Sequence, residues 1–270
     1  MNRHDHGQLP YLTFSNLEAY PGLLHAVFTR IGGVSAPPYA TLNQSYAVGD
    51  RPECVIANRQ RACAQLGLEM ESLTSTFQAH GLDIKQMRRG DRGTGAYPAR
   101  GLPRADALIT DEPEVPLLMR FADCTPIILY DPVHHAVALA HAGWKGTVGK
   151  IAQRTVEAMQ GAFDSDPETM VAALGPGIGP CCYVVRDDVA SLAKAAFSPW
   201  REVLVSLGDG LFRFDLYRAN WAALASAGVP PANVELAEYC TSCRTDLFFS
   251  HRAENGRTGR FGVIVGLRQR

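Results

Sequence analysis

The stretch "FADCTPIILYDPVHHAVALAHAGWKG" at residues 121–146 contains two apolar runs with polar or reactive side chains at their outer ends. The runs at 126–130 and 136–141 are β-prone, and the Asp-Pro pair between them is a strong turn signal. The sequence therefore predicts a β-hairpin. A loop symmetric about Pro132 and Val133 would place Cys124 directly opposite His141.

A cysteine and a histidine on facing strands can bind one zinc ion, since opposed β carbons lie about 5 Å apart. His80, in "TFQAHGLDI" at 76–84, is the candidate third ligand because it follows a β-prone run and precedes a glycine. Two histidines and one cysteinate leave the fourth position of zinc open, as in catalytic sites. The structural alternative is a small buried Cys124 with hydrogen-bonded histidines.

The rest of the chain alternates between strand-like and helix-like patterns, which predicts one α+β domain over residues 1–270 with mixed sheets covered by helices. Residues 1–10 are interpreted as a loose leader and 88–106 as a mobile loop. Helices are predicted at 52–66, 148–159 and 189–197, and from 216 to an end at Gly228. Strands are predicted at 25–29, 106–110, 116–121, 126–130, 136–141, 170–174 and 261–267.

Composition excludes several function classes. Lys plus Arg is 26 against 27 for Asp plus Glu, so no excess positive charge favours nucleic acid or an anionic membrane as partner. The start "MNRHDHGQLP" has no apolar core of a signal peptide, which predicts a soluble cytoplasmic protein. Seven cysteines without an export signal fit reduced thiols better than a disulfide framework.

Other polar residues are candidates for anion binding or proton transfer. "HAGWKGTVGK" at 141–150 ends a strand, turns on glycines and is predicted to begin a helix near Thr147, where backbone amides and a charged neighbour favour phosphate. Asp123 could orient a metal-bound histidine or accept a proton. Steric turns and surface charges are the alternatives. The phosphate candidates are Arg30, Lys145, Gly146, Thr147, Arg252 and Arg260.

Four further cysteines lie in two short motifs. Cys181 and Cys182 are adjacent in a glycine-proline loop, so we expect that they cannot both face one metal and that the loop is a pocket wall. Cys240 and Cys243 form a CxxC motif without a second pair, which predicts free thiols.

Six motifs carry a family resemblance: "QAHG", "ADALIT", "FADCTPIILYDP", "AHAGWKGT", "GPGIGPCCYVV" and "FFSHRAENGRTGRF". Together they resemble the laccase-domain family of purine nucleoside phosphorylases, also called the multicopper polyphenol oxidase or peptidoglycan editing factor family. The resemblance implies a single-domain layered sandwich of mixed β-sheets flanked by helices, with zinc held by His80, Cys124 and His141. It also implies phosphorolysis of adenosine, inosine, guanosine and methylthioadenosine, and adenosine deamination at the same site.

The sequence departs from the family pattern in two places, and it does not support a laccase mechanism. Val185 stands where the family usually has Glu, and Ala253 replaces one of two consecutive arginines. A multicopper centre needs roughly ten ligands, mostly imidazoles. The chain has eight histidines, two of them in the presumed leader.

The sequence thus predicts a zinc-dependent nucleoside enzyme with Asp123, Arg252 and Arg260 at the reacting centre, acting on a nucleoside and inorganic phosphate. Two enzyme alternatives are an amidohydrolase that edits a cell-wall precursor and a Cys–His hydrolase with Cys124 as nucleophile. A zinc-containing binding module without turnover is the third alternative. Protein partners are not predicted.

Overall fold

The hairpin predicted from residues 121–146 is present, and its strands lie at the centre of the fold. The structure is a computed structural model that describes residues 1–5, 9–237 and 239–269. The strands are Asn2–His4 (β1), Tyr11–Thr13 (β2), Leu23–Phe28 (β3), Ile84–Gln86 (β4), Ala107–Thr110 (β5), Leu117–Phe121 (β6), Thr125–Asp131 (β7), Ala136–Ala142 (β8), Val171–Leu174 (β9), Val184–Arg186 (β10), Leu204–Gly208 (β11), Leu211–Phe214 (β12), Val234–Leu236 (β13) and Phe261–Leu267 (β14).

Four of the helices confirm the periodic segments of the sequence, and the two shortest do not correspond to a predicted segment. The helices are Ser15–Glu18 (α1), Pro52–Gln65 (α2), Trp144–Val148 (α3), Ile151–Phe163 (α4), Asp187–Ala196 (α5) and Leu216–Ser226 (α6). Proline in the first turn of α2 suits the helix start, because its missing N–H has no partner there in any case. No helix in the described ranges is both long and apolar enough to cross a membrane.

The strands form layered mixed sheets, which confirms the predicted α+β class. One sheet has the order β1-β2-β3-β14-β6, a second has the order β13-β9-β7-β8-β5-β4, and a small third sheet has the order β10-β12-β11. The two large sheets pack face to face around a shared apolar core. Helix α2 covers the outer face of the first sheet, and α4 and α6 cover the outer face of the second.

Burial of both faces explains why the hairpin reads as continuous apolar runs rather than as an alternating pattern. Ile128 and Tyr130 of β7 point into the core between the large sheets, whereas Ile127 and Leu129 pack under α4 and α6. The hairpin is therefore a stiff central element, and residues at its ends are fixed relative to the core.

The predicted pairing register is wrong by two residues. Asp131 pairs with Ala136 and Pro126 with His141, because the connection 132–135 is centred between Val133 and His134 rather than between Pro132 and Val133. Side chains in a strand alternate with period two, so a shift of two residues preserves the face on which each side chain lies. His141 therefore still points toward the end of β7 at which Cys124 lies.

One other prediction needs correction, and one sheet was missed. Asn2–His4, assigned to a loose leader, pairs with Tyr11–Thr13 as an antiparallel strand, and the terminal ammonium of Met1 contacts Glu235 at 2.7 Å. Residues 6–8 of that leader lie outside the described residues. The small third sheet was not predicted, because its strand β11 is short and mostly exposed and lacks the apolar signal of the central strands.

Candidate metal centre

Three elements bring the predicted ligands together. Cys124 immediately precedes β7, His141 lies near the end of β8, and His80 lies in the loop before β4. The His80 backbone is left-handed at φ 55°, and Gly81 follows it, so the chain turns where the side chain must reach the hairpin. Two potential ligands thus belong to the core and one belongs to a surface loop.

The three side chains converge on one point. The Cys124 Sγ lies 4.0 Å from His80 Nδ1, and the His80 and His141 ring centroids are 4.8 Å apart. One ligand atom from each of the three residues lies within 4.8 Å of the others. Donors about 2.0–2.3 Å from a zinc ion are separated by about 3.5 Å, so a small movement of the rings closes this set around one ion.

Gly143 makes room for this arrangement. A β carbon at residue 143 would lie 2.8 Å from Cys124 Sγ and 3.2 Å from His80 Nδ1. A real β carbon essentially never lies as close as 2.8 Å, and 3.2 Å is tighter than most contacts, so any side chain here would displace Cys124 Sγ and crowd the His80 ring. The glycine therefore leaves the space beside the thiolate and imidazole that an ion needs, and the residues fit a metal.

Asp106 supports both histidines and was missed by sequence reasoning. It is 1% exposed, and its Oδ1 lies 2.9 Å from His141 Nδ1. Its carboxylate also accepts the backbone amides of Ala79, His80 and Gly81, at 2.7–3.0 Å. One buried carboxylate thus fixes the His141 ring and the loop that carries His80, which is a typical role for an outer partner of metal ligands.

Asp123 does not have the predicted role of orienting a histidine. Its backbone is left-handed at φ 82°, and its carboxylate accepts hydrogen bonds from Thr241 Oγ1, Ser250 Oγ and the amide of Arg252, at 2.6–2.7 Å. The carboxylate therefore joins the start of the hairpin to two C-terminal segments. It holds the backbone of Arg252 next to the centre.

Cys124 and His141 stabilise each other's charged form. Burial opposes ionisation of the Cys124 thiol, but the charge of His141 and hydrogen bonds from both histidines outweigh it and lower the pKa of Cys124 to about 6. Burial also opposes protonation of His141, yet Cys124 and Asp106 raise the pKa of His141 to about 9. Burial would raise the pKa of Asp106, but hydrogen bonds from His141 and two backbone amides lower it.

The three candidate arginines differ in their surroundings. Arg252 is exposed, and its guanidinium lies 5.1 Å above the Tyr183 ring and donates to Val184 O. Burial lowers the pKa of Arg260, and the negative charges of Cys124 and Asp123 oppose that drop, so Arg260 lies within electrostatic reach of the centre.

Arg30 is instead held by protein groups. It donates to Ala40 O, Thr245 O and the Glu254 carboxylate, and it lies 4.4 Å from the centroid of the Phe249 ring. Its part in binding phosphate stays a prediction, and these contacts give it a structural task at the same time.

The predicted helix start near Thr147 is wrong, because α3 begins at Trp144 and is only five residues long. Gly146 and Thr147 are buried, the Thr147 amide donates to Gly143 O, and its hydroxyl accepts from Asn220. The Thr147 amide is therefore not available to phosphate. Lys145 is exposed, with its ammonium 5.6 Å from the Trp144 ring centroid.

Val185 occupies the position at which the family that the sequence resembles usually has a glutamate. The side chain is 7% exposed and packs in the core of the small sheet, where its residue pairs with Phe212. A carboxylate in this apolar setting would lack partners, so no acid chemistry is provided from this position.

The four cysteines of the two short motifs contradict the expectation that Cys181 and Cys182 cannot both face one metal and that the CxxC motif lacks a second pair. Cys181, Cys182, Cys240 and Cys243 each offer a sulfur within 4.8 Å of the others. Adjacent cysteines can face one point because the chain turns tightly here, with the amides of Cys182 and Tyr183 both bonded to Gly179 O. Burial opposes ionisation of Cys240, but backbone amides of Gly179 and Cys243 lower the pKa of its thiol.

The chain has a layered α+β fold with two histidines and a cysteine brought together at the end of a buried hairpin. Comparison with known proteins shows to which family a chain with this fold belongs. The chain belongs to the family described as multi-copper polyphenol oxidoreductase laccase, whose model matches residues 24–268.

Named relatives are similar over nearly the whole chain. Purine nucleoside phosphorylase YlmD of Geobacillus stearothermophilus is 40% identical over 256 residues, covering 93% of this chain and 92% of the relative. A purine nucleoside phosphorylase of Deinococcus radiodurans is 40% identical over 264 residues, covering 97% and 94%. The crystal structure of YlmD from Geobacillus stearothermophilus matches with a TM-score of 0.93 and 36% identity, covering 98% of each chain. The Bacillus licheniformis hypothetical protein YfiH matches with a TM-score of 0.93 and 34% identity, covering 98% of this chain and 99% of that one.

Proposed function

We propose that the chain is a zinc-dependent purine nucleoside phosphorylase that acts on adenosine, inosine, guanosine and methylthioadenosine and deaminates adenosine at the same site. The observation that carries the proposal is the convergence of His80, Cys124 and His141. Relatives at 40% identity named purine nucleoside phosphorylase support the choice of reaction. The proposed location is the cytoplasm.

The donor set supports one zinc ion rather than a copper cluster, in spite of the family's description. Among the described residues, His80 and His141 are the histidines that join a possible metal group, and the other such group consists of cysteines. A multicopper centre needs roughly ten ligands, mostly imidazoles. Two imidazoles and a thiolate with one open position suit a catalytic zinc.

Each residue of the centre has a proposed task. His80, Cys124 and His141 would hold the ion, which supplies a positive charge that polarises a bound water or a substrate oxygen. Asp106 accepts the proton on His141 Nδ1, so Nε2 is the nitrogen free to bind metal. The burial gradient from exposed His80 to buried His141 leaves the open side of the centre facing solvent.

Phosphorolysis needs an anion held against the sugar. A phosphate oxygen attacks C1 of the ribose and the bond from C1 to N9 of the purine breaks. The electron pair goes to the base, which takes up a proton and leaves as the free purine, and ribose 1-phosphate is the other product. We propose that Arg252, Arg260 and Lys145 attract the phosphate, and that Asp123 acts by holding Arg252 in position.

Product analysis tests this proposal. Zinc-loaded protein incubated with adenosine and inorganic phosphate is expected to release adenine and ribose 1-phosphate, and without phosphate to form inosine only. The same incubation with His4→Ala, a histidine remote from the centre on β1, should give the same products. Adenosine that stays unchanged in zinc-loaded, folded protein would falsify the proposal and favour the binding module.

A second candidate, a Cys–His hydrolase, is favoured by one observation. His141 contacts both the Cys124 thiol and the Asp106 carboxylate. In such a hydrolase, Cys124 would be the nucleophile, His141 the base and Asp106 the group that orients the base. A hydrolase of this type works without metal, whereas the proposed centre uses Cys124 as a ligand. Hydrolytic activity that survives complete removal of zinc would support the Cys–His hydrolase.

The charge of Cys124 has a testable pH dependence in metal-free protein. Its pKa is lowered to about 6, so the reactive thiolate should already predominate at pH 7. Alkylation by iodoacetamide should therefore increase as the pH rises through about 6, more than two pH units below the rise for a small free thiol at about 8.5. Burial raises the pKa of Cys63 to about 12, so that thiol is the unreactive internal control. Mass spectrometry of peptides after timed alkylation measures both, and a midpoint near 8.5 for Cys124 contradicts the prediction.

A further inference from the structure

The loop at 175–182 and the turn at 240–243 lie side by side and bring four sulfurs together. A bridge joins Gly177 to Cys240, and the Thr241 amide donates to Gly177 O at 2.9 Å. The Cys243 Sγ lies 3.6 Å from the Sγ of Cys181 and 3.3 Å from that of Cys182. All four cysteines are free, and every sulfur lies within 4.8 Å of the others.

We propose that Cys181, Cys182, Cys240 and Cys243 bind a second zinc ion as a closed tetrathiolate site. This proposal does not depend on the reaction proposed above. It concerns a structural ion, because four sulfurs complete a tetrahedron and leave no position for water or substrate.

The distances fit one ion better than they fit disulfides. Sulfurs about 2.3 Å from a shared zinc stand about 3.8 Å apart, which is close to the contacts seen here. A disulfide requires sulfurs at about 2.05 Å and pairs only two of the four. A mononuclear site uses all four at once, and tetrahedral sulfur sites select zinc or iron.

The backbone around the sulfurs also fits thiolate ligands. The Gly179 amide donates to Cys240 Sγ at 3.2 Å, as backbone amides do to metal-bound sulfur. A β carbon at residue 179 would lie 3.2 Å from Cys240 Cβ and 3.3 Å from Cys181 Sγ, so glycine permits this close approach. Cys181 and Cys243 are exposed, which gives an ion a path from solvent.

The second ion would hold together segments that contact the first centre. The Ile178 amide donates to the backbone oxygen of Asp123, and Thr241 Oγ1 donates to the carboxylate of Asp123. Asp123 precedes Cys124, so both segments that carry the four cysteines touch the residue beside a ligand of the first centre. The two sites are therefore adjacent through Asp123, yet they share no ligand.

Counting zinc per chain tests the proposal. Full-length protein is purified under reducing conditions, loaded with zinc, desalted and analysed for bound metal by mass spectrometry. We expect two zinc ions per chain in the unaltered protein and one in His80→Ala. We also expect one in the double variant Cys181→Ser, Cys243→Ser, which replaces the two exposed cysteines and leaves only two sulfurs. Cys54→Ser, a change of a cysteine on α2 that belongs to neither group, should keep two.

The coordination of the remaining ion provides a measurement that does not depend on removing a cysteine. In zinc-loaded His80→Ala, whose altered side chain is exposed, X-ray absorption should show only sulfur neighbours at about 2.3 Å. Nitrogen neighbours in that sample, no zinc left in His80→Ala, or an unchanged zinc count in the double variant Cys181→Ser, Cys243→Ser would each overturn the proposal. A Cys182–Cys243 disulfide in the reduced, zinc-loaded protein would overturn it as well.

Discussion

Replacing His80, Cys124 or His141 singly with alanine is expected to weaken zinc binding at this centre by more than about 100-fold and to remove phosphorolysis with it. Changes in residues that only orient a ligand already cost about 10–100-fold in metal affinity, and removing a donor atom costs more. Two remaining donors hold an ion poorly, because zinc binding in proteins requires three or four. All three variants should therefore lose one zinc ion per chain.

His4→Ala is the matched control, since it removes a partly exposed histidine on β1 and leaves the centre intact. Zinc content is measured after desalting, and adenine release is measured on the same samples. Circular dichroism and the melting temperature show whether each variant is folded. A folded variant that keeps its zinc removes the altered residue from the ligand set, and one that keeps full activity without zinc contradicts a metal-dependent reaction.

Asp106→Asn should lower the free energy of unfolding by roughly 2–4 kcal/mol and weaken zinc binding about 10–100-fold. The buried carboxylate accepts three backbone amides and the His141 ring, and an amide has one oxygen in place of two. The NH2 group of the new asparagine would face N–H donors, so some of these buried N–H groups would lose their acceptor. The loop that carries His80 is then held less firmly.

The pH dependence of stability distinguishes this role from simple packing. The folded-state pKa of Asp106 is lowered, so its contribution is fully present above its ordinary value near 4 and is lost as the pH falls below that value. The difference in stability between unaltered and Asp106→Asn protein should therefore shrink below about pH 4. Urea unfolding at several pH values measures it. Asp83→Asn, an exposed carboxylate in the same loop, should show little effect, and equal losses in both variants would contradict the assignment.

The central strands could be predicted because their signal is local. The apolar runs at 126–130 and 136–141 and the Asp-Pro turn predict the hairpin without knowledge of the rest of the fold. The pairing register depends on the length and centre of the turn, which the residues alone do not determine. The predicted register was therefore wrong by two residues. The prediction that Cys124 and His141 meet was still useful, because an even shift keeps side chains on the same face.

Asp106 could not be predicted because its role exists only in three dimensions. It precedes β5, and its partners come from the His80 loop and from β8, at sequence distances of 25 to 35 residues. A buried acid before an apolar strand does not reveal which backbone amides will surround it. The four cysteines were misjudged for a related reason, since the turn at Gly179 that lets neighbours face one point is not visible as a pattern.

The candidate phosphate-binding arginines could not be ranked from the sequence for the same reason. Any arginine can in principle bind phosphate through its guanidinium group. The sequence does not show which arginines are already paired with other groups of the protein. Arg30 is paired with the Glu254 carboxylate and donates to two carbonyls, whereas the exposed Arg252 side chain donates to backbone carbonyls and has no carboxylate partner among the described residues. Only the fold distinguishes the two.

The unequal anchoring of the ligands has a consequence for how an ion comes and goes. Cys124 and His141 are attached to a hairpin buried on both faces, whereas His80 is exposed on a loop whose amides at 79–81 are held by the Asp106 carboxylate. Rotation of the His80 imidazole would open the solvent side of the proposed centre. We therefore expect exchange of metal with the surroundings to require movement at His80 alone and not separation of the hairpin strands.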